Sequence, residues 1–319
     1  MTRRILITDV DLDGEGCAVL FELAFSQNVI VLKPCEEIEI YHVGRDQKDR
    51  DKILYDIDFR YSLSKDNVYV YITDLSISKE CAEKISGSGI HYLLFDHHKT
   101  SELSDGSIKW ANVCVDGTEC GTSMFYKYLV DNNYLEDRVL LNEFVRNVKD
   151  WDLYTFNKNG NTNAEDLNLY YKCVGADKFR ITAMHSLEFN MDILSRPEVI
   201  LSISESKRKT QEIVDKALSL SCEANINGYN VWITSANSCA SEIGNILAKR
   251  ENTDFAAVIM ISNATIELRS SENGIDVSKI AKLYGGGGHP HAAGFPIIDA
   301  IPEIQNSILS IAMSKKKDS

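Results

Sequence analysis

Short apolar runs alternate with longer stretches of helical periodicity along the first half of the chain. The apolar runs predict buried strands, and stretches such as Cys17–Phe25, Gly121–Val130 and Glu136–Val148 predict helices. The predicted strands are Ile5–Thr8, Ile38–Val43, Val68–Thr73 and Tyr92–Phe95. Because strands that alternate with helices are typical of a parallel sheet, we expect an α/β domain here.

A charged stretch from Arg196 to Ser221 separates this half from a second alternation. Its apolar residues recur at helical spacing, which predicts one long exposed helix. The second alternation has predicted strands at Val231–Thr234, Ala256–Ile261, Thr265–Arg269 and Phe295–Ile298, and predicted helices at Ser241–Lys249, Val277–Tyr284 and from Pro302 onward. We therefore expect a parallel-sheet domain over residues 1–195, a helical linker over 196–221 and a smaller α/β domain over 222–319.

The composition restricts the classes of function. Of the 319 residues, 44% are hydrophobic, and 34 Lys and Arg stand against 47 Asp and Glu, for a net charge of −13. A chain this acidic lacks the broad basic surface that binds long duplex nucleic acid. Its eight cysteines have no paired metal-ligand spacing and are expected to be free thiols of a reducing compartment. No apolar run approaches the ~18 residues of a membrane span, so we expect a cytoplasmic protein without a membrane partner.

Carboxylates follow three of the four predicted N-terminal strands. They are Asp9, Asp11 and Asp13 after the first strand, Asp74 after the third, and Asp96 with His97 and His98 after the fourth. Because the carboxyl ends of parallel strands meet at one edge of a sheet, these groups should converge. Converging acids raise one another's pKa values unless cations compensate their charge. Carboxylates with an imidazole fit Mn²⁺ or Mg²⁺, and the imidazole favours Mn²⁺. Two such ions ~3.5–4 Å apart are the usual device for hydrolysing phosphate esters.

Each of these groups has a plainer explanation when it is taken alone. The acids after the first strand fit an acidic turn or a helix N-cap, and a single acid such as Asp74 is common after a strand. The same string begins like a calcium-binding loop, but the twelfth residue from Asp9 is Leu20, where that loop needs Glu. The joint occurrence of the acids after three apolar runs favours the metal site.

Four consecutive glycines stand near the C-terminus, between a predicted helix and a predicted strand. Such a run weakens regular structure and persists where the backbone passes close to another group. Its amides would form a nest for an anionic oxygen, although a flexible linker is the alternative. The candidate donors to that oxygen are the amides of Gly286, Gly287 and Gly288, the imidazole of His289 and the guanidinium of Arg269.

In their order along the chain, these motifs resemble those of the DHH phosphoesterase superfamily with its DHH-associated C-terminal domain. The similar segments are Asp9–Gly14, Asp74 with its neighbours Ile72, Thr73 and Leu75, Asp96–His98, Asp150–Tyr154, Arg269–Ser271 and Gly285–Phe295. They extend over residues 9–295, and the third and the last are the specific ones. The resemblance implies that residues 1–195 form a catalytic, metal-binding domain and residues 222–319 a substrate-binding domain.

The resemblance also implies roles for individual residues. The implied metal ligands are Asp9, Asp11, Asp13, Asp74 as the bridge between two ions, His97, and Asp152 or, as second choice, Asp150. His98 would face the scissile phosphate, and Asp96 would orient the histidines. The implied substrate-binding residues are Arg269, Gly286, Gly287, Gly288 and His289.

The implied activity is hydrolysis of very short oligonucleotides, RNA or DNA, to nucleoside monophosphates with two divalent cations. Mn²⁺ is favoured and Mg²⁺ stays open. The absence of extra basic domains argues against a processive exonuclease on long strands. Alternative enzymes are a 3′-phosphoadenosine-5′-phosphate phosphatase and a cyclic-dinucleotide phosphodiesterase. An alternative of another class is a catalytically silent nucleotide-binding regulator, which would be expected to lose motif acids that this chain keeps. Whether the chain forms a homodimer stays open.

Overall fold

The computed structural model describes residues 2–26, 36–44 and 46–297. The predicted helix from Pro302 onward lies outside these residues. The chain divides into two compact units, residues 1–204 and 205–319. The three-part division with a separate linker over residues 196–221 stays a prediction.

A five-stranded parallel sheet forms the centre of the N-terminal unit, in the order β2-β1-β3-β4-β5. The strands are β1 (Thr2–Thr8), β2 (Glu36–His42), β3 (Asn67–Thr73), β4 (His91–Asp96) and β5 (Ala111–Val113). The pairing aligns Thr8 with Thr73, and Thr73 with Phe95. The strands β1, β3 and β4 therefore end together at one edge of the sheet.

Both faces of this sheet are buried, which explains the nearly continuous apolar character of its strands. Alternate residues of a strand point to opposite faces. Leu6 and Tyr71 accordingly belong to one apolar core, and Ile5 and Ile72 to another. The helices of the unit are α1 (Leu12–Phe25), α2 (Gln47–Tyr61), α3 (Lys79–Ile85), α4 (Gly121–Asp131), α5 (Val139–Asp152), α6 (Phe156–Asn159), α7 (Thr162–Val174) and α8 (Ala176–Glu188).

The predicted long helix is present as α9 (Pro197–Ser219). Its first half contributes Val199 and Ile203 to the core of the N-terminal unit. Its second half contributes Val214 and Ala217 to a core of the C-terminal unit. Regularly spaced apolar residues therefore mark its buried positions, as the sequence pattern indicates.

A mixed six-stranded sheet forms the C-terminal unit, in the order β10-β11-β9-β8-β7-β6. Its elements are β6 (Cys222–Ile226), β7 (Tyr229–Ala236), α10 (Ala240–Ala248), β8 (Phe255–Met260), β9 (Thr265–Arg269), α11 (Val277–Leu283), β10 (Gly287–His289) and β11 (Ala292–Pro296). Strands β7 and β8 pair in parallel, and the other pairs are antiparallel. The predicted α/β class is confirmed for both units. None of the helices in the described ranges has the length and apolar character needed to cross a membrane.

Candidate active site

The strand ends of the N-terminal unit bring the predicted acids together. Asp9 directly follows β1, Asp74 directly follows β3, and His97 directly follows β4. Asp74 adopts a left-handed backbone conformation with φ of 54°, and its amide donates to the carbonyl of Phe95 at 2.9 Å. The chain therefore turns sharply where Asp74 leaves the sheet, and this residue is 2% exposed.

The loop after β1 is tightened by a helix cap. The carboxylate of Asp11 accepts hydrogen bonds from the amides of Asp13 and Gly14 at 3.0 and 3.1 Å, which begins α1. A side chain at Gly14 would overlap the backbone of Asp9. Asp11 therefore caps α1 and also lies among the acids that meet at the strand ends.

Asp13 is held by the first turn of α4, which sequence reasoning did not find. Its two carboxylate oxygens accept hydrogen bonds from the amides of Gly121 and Thr122 at 2.6 and 2.8 Å. A Cβ at Gly121 would lie 2.7 Å from the Cβ of Asp74, so only glycine lets the helix approach this closely. The sequence does show a glycine, Gly121, at the start of a predicted helix, which could have indicated a close contact. Its partner Asp13 could not be inferred, because it lies more than a hundred residues away in the chain.

The imidazole of His97 lies among three carboxylates. Its Nε2 is 3.1 Å from Asp74 Oδ1, 3.7 Å from Asp13 Oδ2 and 3.6 Å from Asp152 Oδ2. Three groups of potential metal-ligand atoms have all members within 4.8 Å of one another: Asp74, His97 and His98; Asp13, His97 and Asp152; and Asp9, Asp11 and Asp74. These seven residues are called the acidic cluster below. The groups share Asp74 and His97, so neighbouring ions would have common ligands.

The acidic cluster fits divalent cations, because its five carboxylates outnumber the one guanidinium described beside them, that of Arg50 at 3.8 Å from Asp9. Burial, followed by the charges of Asp13 and Asp11, raises the pKa of Asp74 well above its usual range. The same causes raise the pKa of Asp152 to about 8. The buried Oδ2 of Asp152 accepts no hydrogen bond from the described residues. Burial lowers the pKa of His97, which favours the neutral imidazole that ligates metals. Carboxylate oxygens with one imidazole are a donor set for Mn²⁺ or Mg²⁺.

His98 belongs to the acidic cluster, but its ring is oriented by Asp96, which lies outside the cluster. Asp96 Oδ1 lies 2.9 Å from His98 Nδ1 and accepts from the His98 amide at 3.0 Å, while Asp96 Oδ2 accepts from the Ser76 hydroxyl. The hydrogen bond with Asp96 raises the pKa of His98. His98 therefore has its Nε2 left to donate to an anionic ligand, with Asp96 in the orienting position.

Of the two acids in the fourth motif, only Asp152 lies in the acidic cluster. Asp150 is 7% exposed, and its carboxylate accepts hydrogen bonds from Thr155, Asn159 and Asn161 at 3.0, 2.9 and 2.7 Å. Both acids stand at the end of α5, where two positions along the helix place their side chains on different faces. The structure thus places Asp152, and not Asp150, among the potential metal-ligand groups, and the assignment of Asp152 as the ligand stays a prediction.

In the C-terminal unit, the strand register aligns Arg269 and His289. Both residues pair with Ala292 of β11, from opposite sides, so their side chains lie on the same face of the sheet. The Nη2 of Arg269 donates to the hydroxyl of Ser241 at 2.8 Å. A Cβ at Gly244 would lie 2.7 Å from the Cγ of Arg269, so the arginine stem runs closely along α10.

The glycine run is partly regular structure. The amides of Gly285 and Gly286 donate to the carbonyls of Lys282 and Ala281 and end α11. The amide of Gly286 is thus engaged within the chain, and the role of Gly286 in substrate binding stays a prediction. Gly287–His289 form β10. The close approach expected for the run is to β11, because a side chain at Gly286 would overlap Gly294 and Phe295. Gly287, Gly288 and His289 remain predicted substrate-binding residues.

Comparison with known proteins agrees with these motifs. Residues 203–314 match the DHHA1 domain family. The chain is 28% identical over 312 residues to Oligoribonuclease NrnB of Bacillus subtilis (strain 168), which covers 92% of this chain and 73% of that protein. The pGpG-specific phosphodiesterase PggH of Vibrio cholerae superposes with a TM-score of 0.53 at 13% identity, over 98% of this chain and 99% of that chain. RecJ of Thermus thermophilus in complex with Mn²⁺ superposes with a TM-score of 0.46 at 12% identity, over 98% of this chain and 52% of that chain.

The likeness to PggH concerns the fold, and the match to NrnB extends over both units. Residues 203–314 thus match the DHHA1 domain family, and the Asp96-His97-His98 motif of the N-terminal part is similar to that of the DHH phosphoesterases.

Proposed function

We propose that this protein is a metal-dependent phosphodiesterase that hydrolyses short oligonucleotides to nucleoside monophosphates. The observation that carries the proposal is the acidic cluster, in which carboxylates and an imidazole meet at the ends of β1, β3 and β4 and outnumber the one guanidinium described beside them, that of Arg50. The relative NrnB is named an oligoribonuclease, which supports an oligonucleotide as substrate.

The acidic cluster would hold two divalent cations, for which Mn²⁺ is our first choice. Asp9, Asp11 and Asp74 form one ligand group, and Asp13, His97 and Asp152 form another. Bound ions of this kind polarise a phosphoryl oxygen and supply hydroxide near neutral pH. The carboxylate of Asp74 would serve both ions, because it stands nearest to His97 and also belongs to the group with Asp9 and Asp11.

His98 would stabilise the negative charge that grows on the phosphoryl oxygens. Its raised pKa favours the protonated ring near neutral pH, in which both nitrogens donate. Nδ1 donates to Asp96, so Nε2 is the donor that remains for the substrate. The buried Asp96 would hold the ring in place, so that little reorganisation is needed during the reaction.

Arg269 and His289 would hold the substrate away from the reacting bond. The shared pairing partner Ala292 places them on one face of the sheet, where a guanidinium and an imidazole can bind the same phosphate-bearing ligand. Loss of His289 should then raise KM and leave kcat nearly unchanged, because a distant contact of this kind contributes equally to substrate and transition state.

The test is an assay of purified protein with Mn²⁺ against a labelled dinucleotide, a five-mer and a twenty-mer, with 3′-phosphoadenosine-5′-phosphate and a cyclic dinucleotide beside them. We expect the dinucleotide and the five-mer to be hydrolysed to monophosphates much faster than the twenty-mer. Comparable rates on the twenty-mer and the dinucleotide would contradict the preference for short substrates. Preferential hydrolysis of either of the last two compounds would assign the site to that substrate instead.

A further inference from the structure

A cavity of about 480 Å³ lies beside the acidic cluster in the N-terminal unit, and it is called the Arg50 cavity below. Gln47 and Arg50 in the first turn of α2 line it, together with Ser76, His98, Thr100 and Glu102. Asp9 and Asp11 of the acidic cluster also line it. Its volume is in the range of ~300–1,000 Å³ that is usual for small-molecule sites. The cavity therefore offers room for a ligand in direct contact with the acidic cluster.

Arg50 is a buried cation in the lining of this cavity, with a relative exposure of 8%. Two of its three guanidinium nitrogens hold the neighbouring loops: Nε donates to the carbonyl of Gly44 at 3.0 Å, and Nη1 donates to the carbonyl of Ser76 at 3.2 Å. These bonds fix the plane of the guanidinium, since its donors form a rigid fork. The orientation of the third nitrogen is thereby determined by the fold rather than by a flexible side chain.

The third nitrogen, Nη2, donates no hydrogen bond to any residue that the structure describes. It lies 3.8 Å from Asp9 Oδ2, which is an ion-pair distance but too long for a hydrogen bond. Nη2 is not among the described buried side-chain atoms that lack a partner, so a ligand in the cavity can reach it. An anionic oxygen at Nη2 would lie beside Asp9 and in the same cavity as His98.

We propose that Arg50 is a further substrate-contacting residue, whose Nη2 donates to a non-bridging oxygen of the scissile phosphoryl group, with the sugar of the same nucleotide in the Arg50 cavity. This rests on the function proposed above. The described lining includes no Phe, Tyr or Trp on which a base would stack, so the cavity suits phosphate and sugar rather than the base. Arg50 and His98, which both line the cavity, would then contact the same phosphoryl group.

The test compares Arg50→Met and Arg50→Lys with Arg60→Met. Arg60 lies in the same helix with a side chain that is 54% exposed and does not line the cavity, so its variant is the matched control. With a dinucleotide and Mn²⁺, Arg50→Met should lower kcat/KM on the order of 100-fold, as loss of a donor to developing charge does elsewhere. Arg50→Lys should lower it on the order of 10-fold, because a point charge replaces the fork. Guanidinium ion added to Arg50→Ala should restore part of the rate.

Two binding measurements on the same proteins separate this proposal from the proposed function. Titration calorimetry of the Mn²⁺-loaded protein with inorganic phosphate should show weaker binding in Arg50→Met than in Arg60→Met, with Mn²⁺ affinity and thermal unfolding retained. If the wild type hydrolyses no oligonucleotide but phosphate binding still falls in Arg50→Met, the anion site stands and the proposed function fails. If the wild type is active and Arg50→Met keeps its kcat/KM and its phosphate affinity, the assignment of Arg50 is overturned. The assignment is also overturned if guanidinium does not restore the rate of Arg50→Ala and this variant loses Mn²⁺ binding. Arg50 would then act by supporting Asp9.

Discussion

The three acids after β1 illustrate how different environments act on one residue type within a few positions. The carboxylate of Asp13 accepts hydrogen bonds from two backbone amides at the start of α4. A helix N-terminus stabilises a negative charge in this position. Asp11 caps α1, and burial together with the charge of Asp13 raises its pKa. Asp9 lies 3.8 Å from Arg50. Each of these acids thus contacts a structural partner and also belongs to the acidic cluster.

The pair Asp150 and Asp152 offers a matched test at the scale of single residues. Asp152→Asn should abolish or strongly weaken Mn²⁺ binding, because its Oδ2 is buried in the acidic cluster and accepts no hydrogen bond from the described residues. Asp150→Asn should keep Mn²⁺ binding but lose about 1–3 kcal/mol of stability, since its three hydrogen-bond donors lose a charged acceptor. Titration calorimetry and thermal unfolding measure the two effects. Equal loss of Mn²⁺ binding in both variants would contradict the separation.

Among whole elements, the close contact between the glycine run and β11 has a consequence for stability. A Cβ at Gly286 would overlap the Gly294 carbonyl and Phe295, whereas a Cβ at Gly287 would meet nothing within 4 Å. Gly286→Ala should therefore destabilise the protein by about 1–3 kcal/mol, and Gly287→Ala should change its stability little. Urea denaturation measures both. If the two alanines cost the same, flexibility rather than the close approach explains the glycines.

The elements that sequence patterns predict well are those with strong apolar runs. The apolar run predicts β3 from Val68, and the observed strand begins one residue earlier, at Asn67. The run is strong because five of the seven residues of this strand are buried. Helix α2 was not predicted, since only Arg50, Leu54 and Ile57 of its fifteen residues are buried and the remainder gives little periodicity. Strand β5 has three residues, which is too short for a pattern.

The part of the site that sequence patterns cannot reach depends on contacts between distant segments. The acids of the first three motifs could be selected because each group follows a strand. The amide of Gly121 that holds Asp13, and the position of Arg50 beside Asp9, arise from the packing of α4 and α2 against the strand ends. Local propensity contains no information on such pairs. The choice between Asp150 and Asp152 likewise required the direction of their side chains at the end of α5.

For the molecule as a whole, the net charge of −13 is unevenly distributed. Residues 222–319 contain 8 Lys and Arg against 10 Asp and Glu, so the excess of acids lies in the N-terminal part, which contains the acidic cluster. Metal-free protein therefore folds against repulsion among buried carboxylates. Bound cations would relieve that repulsion, so metal binding and folding stability should be linked.

The pH dependence of this linkage follows from Asp152. Its pKa is raised to about 8 in the folded, metal-free chain, against ~3.9 when unfolded, so the folded state holds a proton that the unfolded state has lost between these values. Stability of the metal-free protein should fall as pH rises through this window and level off above it. The increase in Tm on adding Mn²⁺ should therefore be larger at about pH 8 than at about pH 5.5. Thermal unfolding with and without Mn²⁺ measures this, and an equal increase at both pH values would contradict it.

The most direct measurement is the rate of monophosphate release from a dinucleotide at saturating Mn²⁺, for the wild type and for Asp74→Asn. Asparagine tolerates the left-handed backbone at this position and removes a repelled charge, so the metal-free variant should unfold at the same or a higher temperature. If the strand-end carboxylates hold the catalytic ions, the rate should fall by more than ~100-fold. Loss of a residue that only supports a metal ligand usually costs at most ~100-fold, and Asp74 would be a ligand itself. A folded Asp74→Asn that hydrolyses the dinucleotide at the wild-type rate would contradict the assignment of the acidic cluster as the metal site of the reaction.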